Sequence, residues 1–537
     1  MHENRERPMY DLTIKGGRDM IGKSMSRRHF LYALLGSGAA AALAACGATP
    51  APAATATAVP PAPTPTAAAP APTATTAAAA EATATSAPAG ETPVPGVTPG
   101  LPPEAATVEA AVNSNVIEGF TPKLTNPTEK IELLYWWGNN YQPAMDYTHV
   151  ILKKFNLVYP NVTVNPVGGQ NCDAFVAAAA AGTPPDLFHT WDCVERMGIW
   201  AKQKMIIPLD DYIQKDGFDL NDYLPGTADP TKMDGKIWGM VDTGGVFLLW
   251  DRPQIMKEVS GSDAVPGDLD QLWALAQKAT TRTSSGDIQR LGMAIPNWIW
   301  TQFAVMASYG GKVWDYAKDE PTPDDAGVIA ALKDLVAQVN FYGVDALDRW
   351  SSSIGSQSGE QDPWMSGNMM MKIDGDWSGQ AIFDFFPNWQ FKVDYGADVL
   401  PPAPQAKQTG DPAVVFWTWP LVIPSGTKHP DWSWELLRYM LSPEYQLNVH
   451  PKFKEILVRK SLMNDPRVWW PAGKVAAQIA KGGRAMTTMV PMHPVAGEYL
   501  TLLGEATEKI LHLQMTPEEG MAGVKSEIQA KIKEVMG

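Results

Sequence analysis

Three short runs decide how this chain is read: Ile131-Glu-Leu-Leu-Tyr-Trp-Trp137, Val162-Thr-Val-Asn-Pro-Val167 and Asp186-Leu-Phe-His189. Apolar, β-branched and aromatic stretches of this length, bounded by turn residues, read as strands. Between the first two lies Tyr147–Tyr159, an amphipathic helical pattern ended by Pro160. Between the second and third lies Ala174–Ala181, stopped by Gly182. A β-α-β-α-β order opens a doubly wound sheet, whose ligands bind beyond the carboxyl ends of the strands.

Downstream, short apolar runs continue to alternate with helical patterns, so the globular part is α/β and extends from about Glu129 to Gly537. Thr322-Pro323-Asp324-Asp325 predicts a helix through Asn340, with Thr322 as its N-cap. Asp431–Leu441 predicts another, and Thr516-Pro517-Glu518-Glu519 predicts the last, lying between there and Met536.

Upstream the composition changes. In residues 51–90, Ala, Pro and Thr supply 36 of 40 positions. Such a stretch cannot bury enough surface to offset its ordering entropy, so residues 46–128 are expected to be a disordered tether. Its deletion (residues 47–125) is expected to leave ligand affinity unchanged. Residues 1–45 read as a secretory signal: Arg27-Arg28 precede an Ala-rich apolar run from Phe30 to Ala45. The Arg pair resembles a twin-arginine export signal, and Leu43-Ala44-Ala45-Cys46 resembles a bacterial lipoprotein box with Cys46 as the lipidated residue. This implies a protein held at the extracytoplasmic face of a bacterial membrane.

The net charge is −15, which disfavours nucleic acid as a partner, because phosphate neutralisation needs clustered Lys and Arg. There is no Walker loop, no His-Glu-x-x-His and no paired metal cysteines, and the eight His are scattered. Gly355-Ser-Gln-Ser-Gly359 has Gln where a nucleophile elbow needs Ser. No catalytic residue, metal or cofactor is therefore assigned, and a monomer is expected. The 20 Trp are the abnormal count, and all lie beyond residue 130. Flat, apolar indole faces suit the C–H faces of sugars, and Asp and Asn suit the hydroxyls.

Six segments in order carry a resemblance to the extracellular solute-binding proteins of bacterial ABC importers, family 1, which includes maltose-, oligosaccharide- and glycerol-phosphate-binding proteins. They are Ala178–Phe188, Ile207-Pro-Leu-Asp-Asp-Tyr-Ile213, Asp234-Gly-Lys-Ile-Trp-Gly239, Ser366–Trp377, Ile423–Met440 and Leu457-Val-Arg-Lys-Ser461. Before Ile423 the family has a glycine-rich stretch, whereas this chain has Phe416-Trp-Thr-Trp-Pro420. The resemblance implies a two-lobed periplasmic-binding-protein fold with a hinge and interleaved lobes: 129–242 with 375–418, and 243–374 with 419–537. It implies a carbohydrate ligand, an oligosaccharide, passed to ABC permease subunits. The alternatives are glycerol-phosphate or another polyol, for which only Arg459 looks available, and, in a different class, a secreted glycoside-acting enzyme. Family position and the aromatic–acid pairing together point to Trp137, Asn139, Trp191, Asp192, Asp242, Trp298, Trp300, Asp376, Trp377, Trp417 and Trp419 as ligand contacts.

Cys172 follows the second strand and Cys193 the third. Adjacent parallel strands end about 4.8 Å apart, so the two are expected to form a disulfide, the alternative being two separate buried thiols.

Overall fold

In a computed structural model of the chain, the described residues are 117–139, 142–354, 361–407, 414–468 and 489–537, with Trp470, Gly473, Val475, Met486 and Thr487. Cys46, the signal and residues 46–116 of the tether lie outside the described residues, as does the side chain of Asp192. Among the described residues no helix is long and apolar enough to cross a membrane.

The strands that build the site are β1 (Ile131–Trp137), β2 (Val162–Val167), β3 (Leu187–His189), β4 (Met240–Asp251), β5 (Ile288–Met293), β6 (Met369–Gly375), β7 (Val414–Val422) and β8 (Ile456–Leu457). The helices are α1 (Gln142–Lys153), α2 (Cys172–Ala180), α3 (Ile299–Ser308), α4 (Ala326–Tyr342), α5 (Trp377–Phe385), α6 (Pro430–Met440), α7 (Pro443–Phe453), α8 (Ala496–Leu511) and α9 (Pro517–Met536). The main sheet runs β2-β1-β3-β7-β4-β6-β5, with short strands beside it. The opening β-α-β-α-β is present, and β1 pairs in parallel with both β2 and β3.

The joint between the lobes is β4, buried along its whole length. Its first part pairs with β7, from Met240↔Leu421 to Val246↔Phe416. Its second part pairs with β6, from Phe247↔Gly375 to Asp251↔Met371. One strand thus joins the two halves of the sheet, and its pairing partner on that edge changes at Val246/Phe247. β7 joins the first half at its far end, where Leu421 and Val422 pair with His189 and Phe188 of β3.

The contacts divide the later chain differently from the expected 419–537 block. Residues 421–457 pack on the first lobe: Tyr439 Oη donates to Ile151 O at 2.7 Å, and Trp434 Nε1 to Asp216 at 2.7 Å. Residues 495–528 instead share the second apolar core with α3, α4 and β6. Within 375–418, Gly396–Asp398 pairs with the second-lobe end of β4. Helical periodicity shows which face is apolar, but not which of two cores receives it.

Two helix ends show how local signals compete. The Thr516 capping box is formed as its sequence reads. The earlier helix is capped by Asp325, whose carboxylate accepts from Gly327 and Val328 N, while Thr322 Oγ1 donates to Lys312 O. The Asp is the one that meets the first free N–H groups, three residues later than the cap expected from the Thr-Pro pair.

The last part of the expected tether is seated on the first lobe. Glu118 N donates to Glu444 Oε2 at 3.0 Å, and Glu444 N returns a bond to Glu118 O. Lys123 N donates to Glu435 Oε1 at 2.8 Å, and Arg467 grips Glu118 through two bonds of 3.0 Å. The Phe120 ring packs edge-on against Tyr439. Residues 117–127 are therefore a strap on the body, which corrects the 46–128 boundary. Phe120 is the one aromatic in that stretch, and two buried carboxylates wait for its backbone N–H groups.

Candidate lobe-bridging aromatic site

Seven of the singled-out tryptophans and one phenylalanine form one continuous cluster. Trp137 ends β1 and lies edge-on to Trp191, 6.2 Å between centroids. Trp191 stacks on Trp419 at 4.3 Å. Trp419 meets Trp417 at 5.9 Å, because residues two apart on β7 start from the same face. Trp417 then touches Trp298, Trp300 and Trp377 at 5.6, 5.3 and 6.4 Å. Phe247 of β4 packs against the last three from below. The cluster starts in the first lobe, follows the crossing strand β7, and ends on α3 and α5.

Burial separates lining from support. Trp298 is 39% exposed, while Trp137, Trp300 and Trp419 are buried. Trp191, Trp377 and Trp417 are half-buried. Trp298 ends as the N-cap residue of α3 and Trp300 lies inside its first turn, so the two do not share one extended face. The Trp377 ring closes on two glycines: a Cβ on Gly375 would come within 2.2 Å of it, and one on Gly245 within 2.7 Å. Glycine on both β4 and β6 lets this indole settle across the paired strands. Asn139 is half-buried just beyond β1.

Two of the three acids can be placed. Asp242 is 2% exposed and Asp376 1%, so both carboxylates are buried. Asp242 Oδ1 accepts from Gln446 Nε2 and lies 3.2 Å from His450 Nε2, and its Oδ2 lies 3.5 Å from His189 Nε2. His450 Nδ1 in turn lies 2.8 Å from Glu455. Asp376 Oδ2 accepts from Ile456 N of β8 at 3.2 Å. The alternation of β4 turns Asp242 into the sheet's covered face, where α7 supplies its partners.

Burial pushes the Asp242 carboxyl up, but the imidazoles of His450 and His189 outweigh it and hold the group at about 2. Burial lowers His450, but Asp242 and Glu455 raise it to about 10. Burial, with the nearby Glu455, pushes Asp376 well above the usual carboxylate range. Asp251, at the end of β4, is raised by burial to about 7.

The signs give a pH profile. The depressed Asp242 stabilises fully above 3.8 and loses that as pH falls through 2, and the raised His450 stabilises fully below 6.5 and loses that as pH rises through 10. The raised Asp251 stabilises fully below 3.8 and loses that as pH rises through 7. Guanidinium unfolding across pH should show stability falling between about pH 4 and 7, where Asp251 contributes together with the raised Asp376, and again between about 6.5 and 10 from His450. Asp251→Asn should make the fall below pH 7 shallower and leave the one toward 10 in place; an unchanged slope below pH 7 would refute the Asp251 contribution.

Cys172 and Cys193 are bonded, with Cα atoms 5.7 Å apart. The route is not the one the strands suggest: β2 and β3 flank β1 rather than each other. The start of α2 and the turn after β3 bring the two sulfurs together. Arg459, the one cation considered for a phosphate, is occupied by Asp222 at 2.8 Å and Leu441 O at 2.7 Å. Among the described residues no group of three His, Cys, Asp or Glu could hold a metal ion.

The fold and this lobe-bridging site define a class, the two-lobed binding proteins that close on a solute. The model of the bacterial extracellular solute-binding protein family matches residues 139–447, and the chain belongs to that family. Solved structures of similar fold include CpMnBP1 with mannotriose bound, 24% identical, TM-score 0.61, covering 74% of this chain and 100% of that one. The GacH receptor of Streptomyces glaucescens, solved unliganded and with acarbose, is 19% identical, TM-score 0.60, covering 75% and 99%. The sugar-binding protein MalE from Xanthomonas citri is 18% identical, TM-score 0.61, covering 75% and 99%. No curated protein sequence matches the chain. The family and these neighbours are binding proteins rather than enzymes.

Proposed function

We propose that the protein captures a carbohydrate, an oligosaccharide, between its lobes and delivers it to an ABC permease while anchored to the membrane through Cys46. The observation that carries the ligand class is the run of tryptophans from lobe to lobe. Trp298, Trp377 and Trp417 touch one another at 5.6–6.4 Å. That is ring-contact distance, which leaves no gap for a cation between them, so the ligand lies on their outer faces. The occupied Arg459 weighs against a phosphate ligand. The six ordered family segments and the Cys46 signal support delivery and anchoring; retention of a Cys46→Ser variant in washed membranes would refute the anchor.

A thermal-shift screen with mannotriose, maltotetraose and other sugars tests the ligand class. A sugar at 100 times its Kd should add about 2.7 kcal/mol of stability. Trp298→Ala should then weaken binding by about 2 kcal/mol, with some loss of stability as well, because the ring is 39% exposed but also packs on Phe247, Trp377 and Trp417. A screen in which peptides or amino acids raise Tm and no sugar does would overturn the carbohydrate reading.

A further inference from the structure

Trp191 has a left-handed backbone, φ 45°, a conformation that a bulky side chain rarely adopts and that persists only where the surroundings enforce it. Three separate features hold it there. Thr190 N, one residue before, donates to Pro420 O of β7 at 2.9 Å. Cys193, two residues after, is fully buried and bonded to Cys172 at the start of α2. Beneath the residue is Gly138, where a Cβ would stand 2.7 Å from Trp191 Cβ and 3.1 Å from Cγ. Any side chain on residue 138 would push the indole away.

The consequence is a fixed ring. The indole lies 21° from parallel to Trp419, which is buried and covers one face. Trp137 meets it at a steep 74°. Trp191 itself is half-buried. Packing alone does not ask for this backbone, since a small residue or Asn would take the left-handed position with less strain. What the strain secures is the direction of the ring.

We infer that Gly138 and the Cys172–Cys193 bridge are positioning elements that hold the Trp191 indole in its ligand-facing orientation. The inference rests on the carbohydrate reading above and adds to it a mechanism of preorganisation. A platform already in its bound orientation loses less freedom when ligand arrives. If the oriented fraction fell to a tenth, the apparent Kd would rise about tenfold.

The test uses the full chain and two readouts. Stacked indoles couple electronically, and other pairs such as Trp300–Trp417 contribute too, so the couplet of the Trp191–Trp419 pair is read as the difference between the circular dichroism of the parent and that of Trp191→Ala. Gly138→Ala should lose the couplet and raise the Kd for mannotriose or maltotetraose, whichever the parent binds, about tenfold. Trp191→Ala should weaken binding at least as much, and adding Gly138→Ala to it should change nothing further. The Cys172→Ser/Cys193→Ser variant should likewise lose the couplet, which covers the case in which Gly138→Ala does not fold. A couplet that survives in these variants overturns the positioning role, whatever the ligand. A bridge variant that loses Tm but keeps couplet and Kd shows the bridge to be purely structural. If neither sugar binds the parent, the ligand reading fails for them, while the couplet still decides the positioning.

Discussion

Replacing Asp242 by alanine should destabilise the protein by about 3–5 kcal/mol, the range for removing one partner of a buried ion pair. The carboxylate sits on the crossing strand and its partners sit on α7, more than 200 residues away in sequence: Gln446 and His450. Without it, the buried His450 imidazolium would keep only Glu455 as an anionic contact. His450 would then give up its proton more easily, and its alkaline stability step would move below 10. Chemical unfolding should show a lower midpoint at unchanged m, because the surface exposed on unfolding does not change. Asp242→Asn with His450→Gln, which removes both charges together, should recover part of the loss. A single Asp242→Ala within 1 kcal/mol of the parent would show that the network contributes nothing net.

Deleting the strap should have the next largest effect. Removal of residues 47–116 should leave stability and ligand binding unchanged, since their Ala/Pro/Thr composition offers little to bury. Removal of residues 47–125 should lower stability by roughly 3 kcal/mol. It takes away the Glu118 N–H from Glu444 and the Lys123 N–H from Glu435. Bonds to charged groups contribute about 1.5–3 kcal/mol each, and a buried carboxylate without its donor bears its desolvation. Phe120 also leaves its place between Tyr439 and Phe155. Thermal unfolding of the two deletions side by side reads the difference. Equal melting temperatures would mean that the strap is merely laid on the surface.

Much of this was legible from residues alone. The strands 131–137, 162–167 and 186–189 and the helices 431–441 and 517–536 follow from short-range patterns of apolar residues, breakers and caps. Trp417 and Trp419 could be assigned to one face because a strand alternates with period two. The sequence by itself therefore determined the α/β class and the family, and it marked the two cysteines that bridge, though not the route by which they meet.

The tertiary structure decided what each of those residues does. Asp242 and Asp376 carry the same sequence signal, and only the fold gives them their partners on α7 and β8. Glu118 and Glu444 lie 326 positions apart and meet only in the folded chain. Trp298 and Trp300 are two residues apart, and one faces solvent while the other supports it. Local periodicity reports which side of its own element a residue occupies. The partner waiting on that side is set by long-range pairing around β4, whose two halves meet different strands.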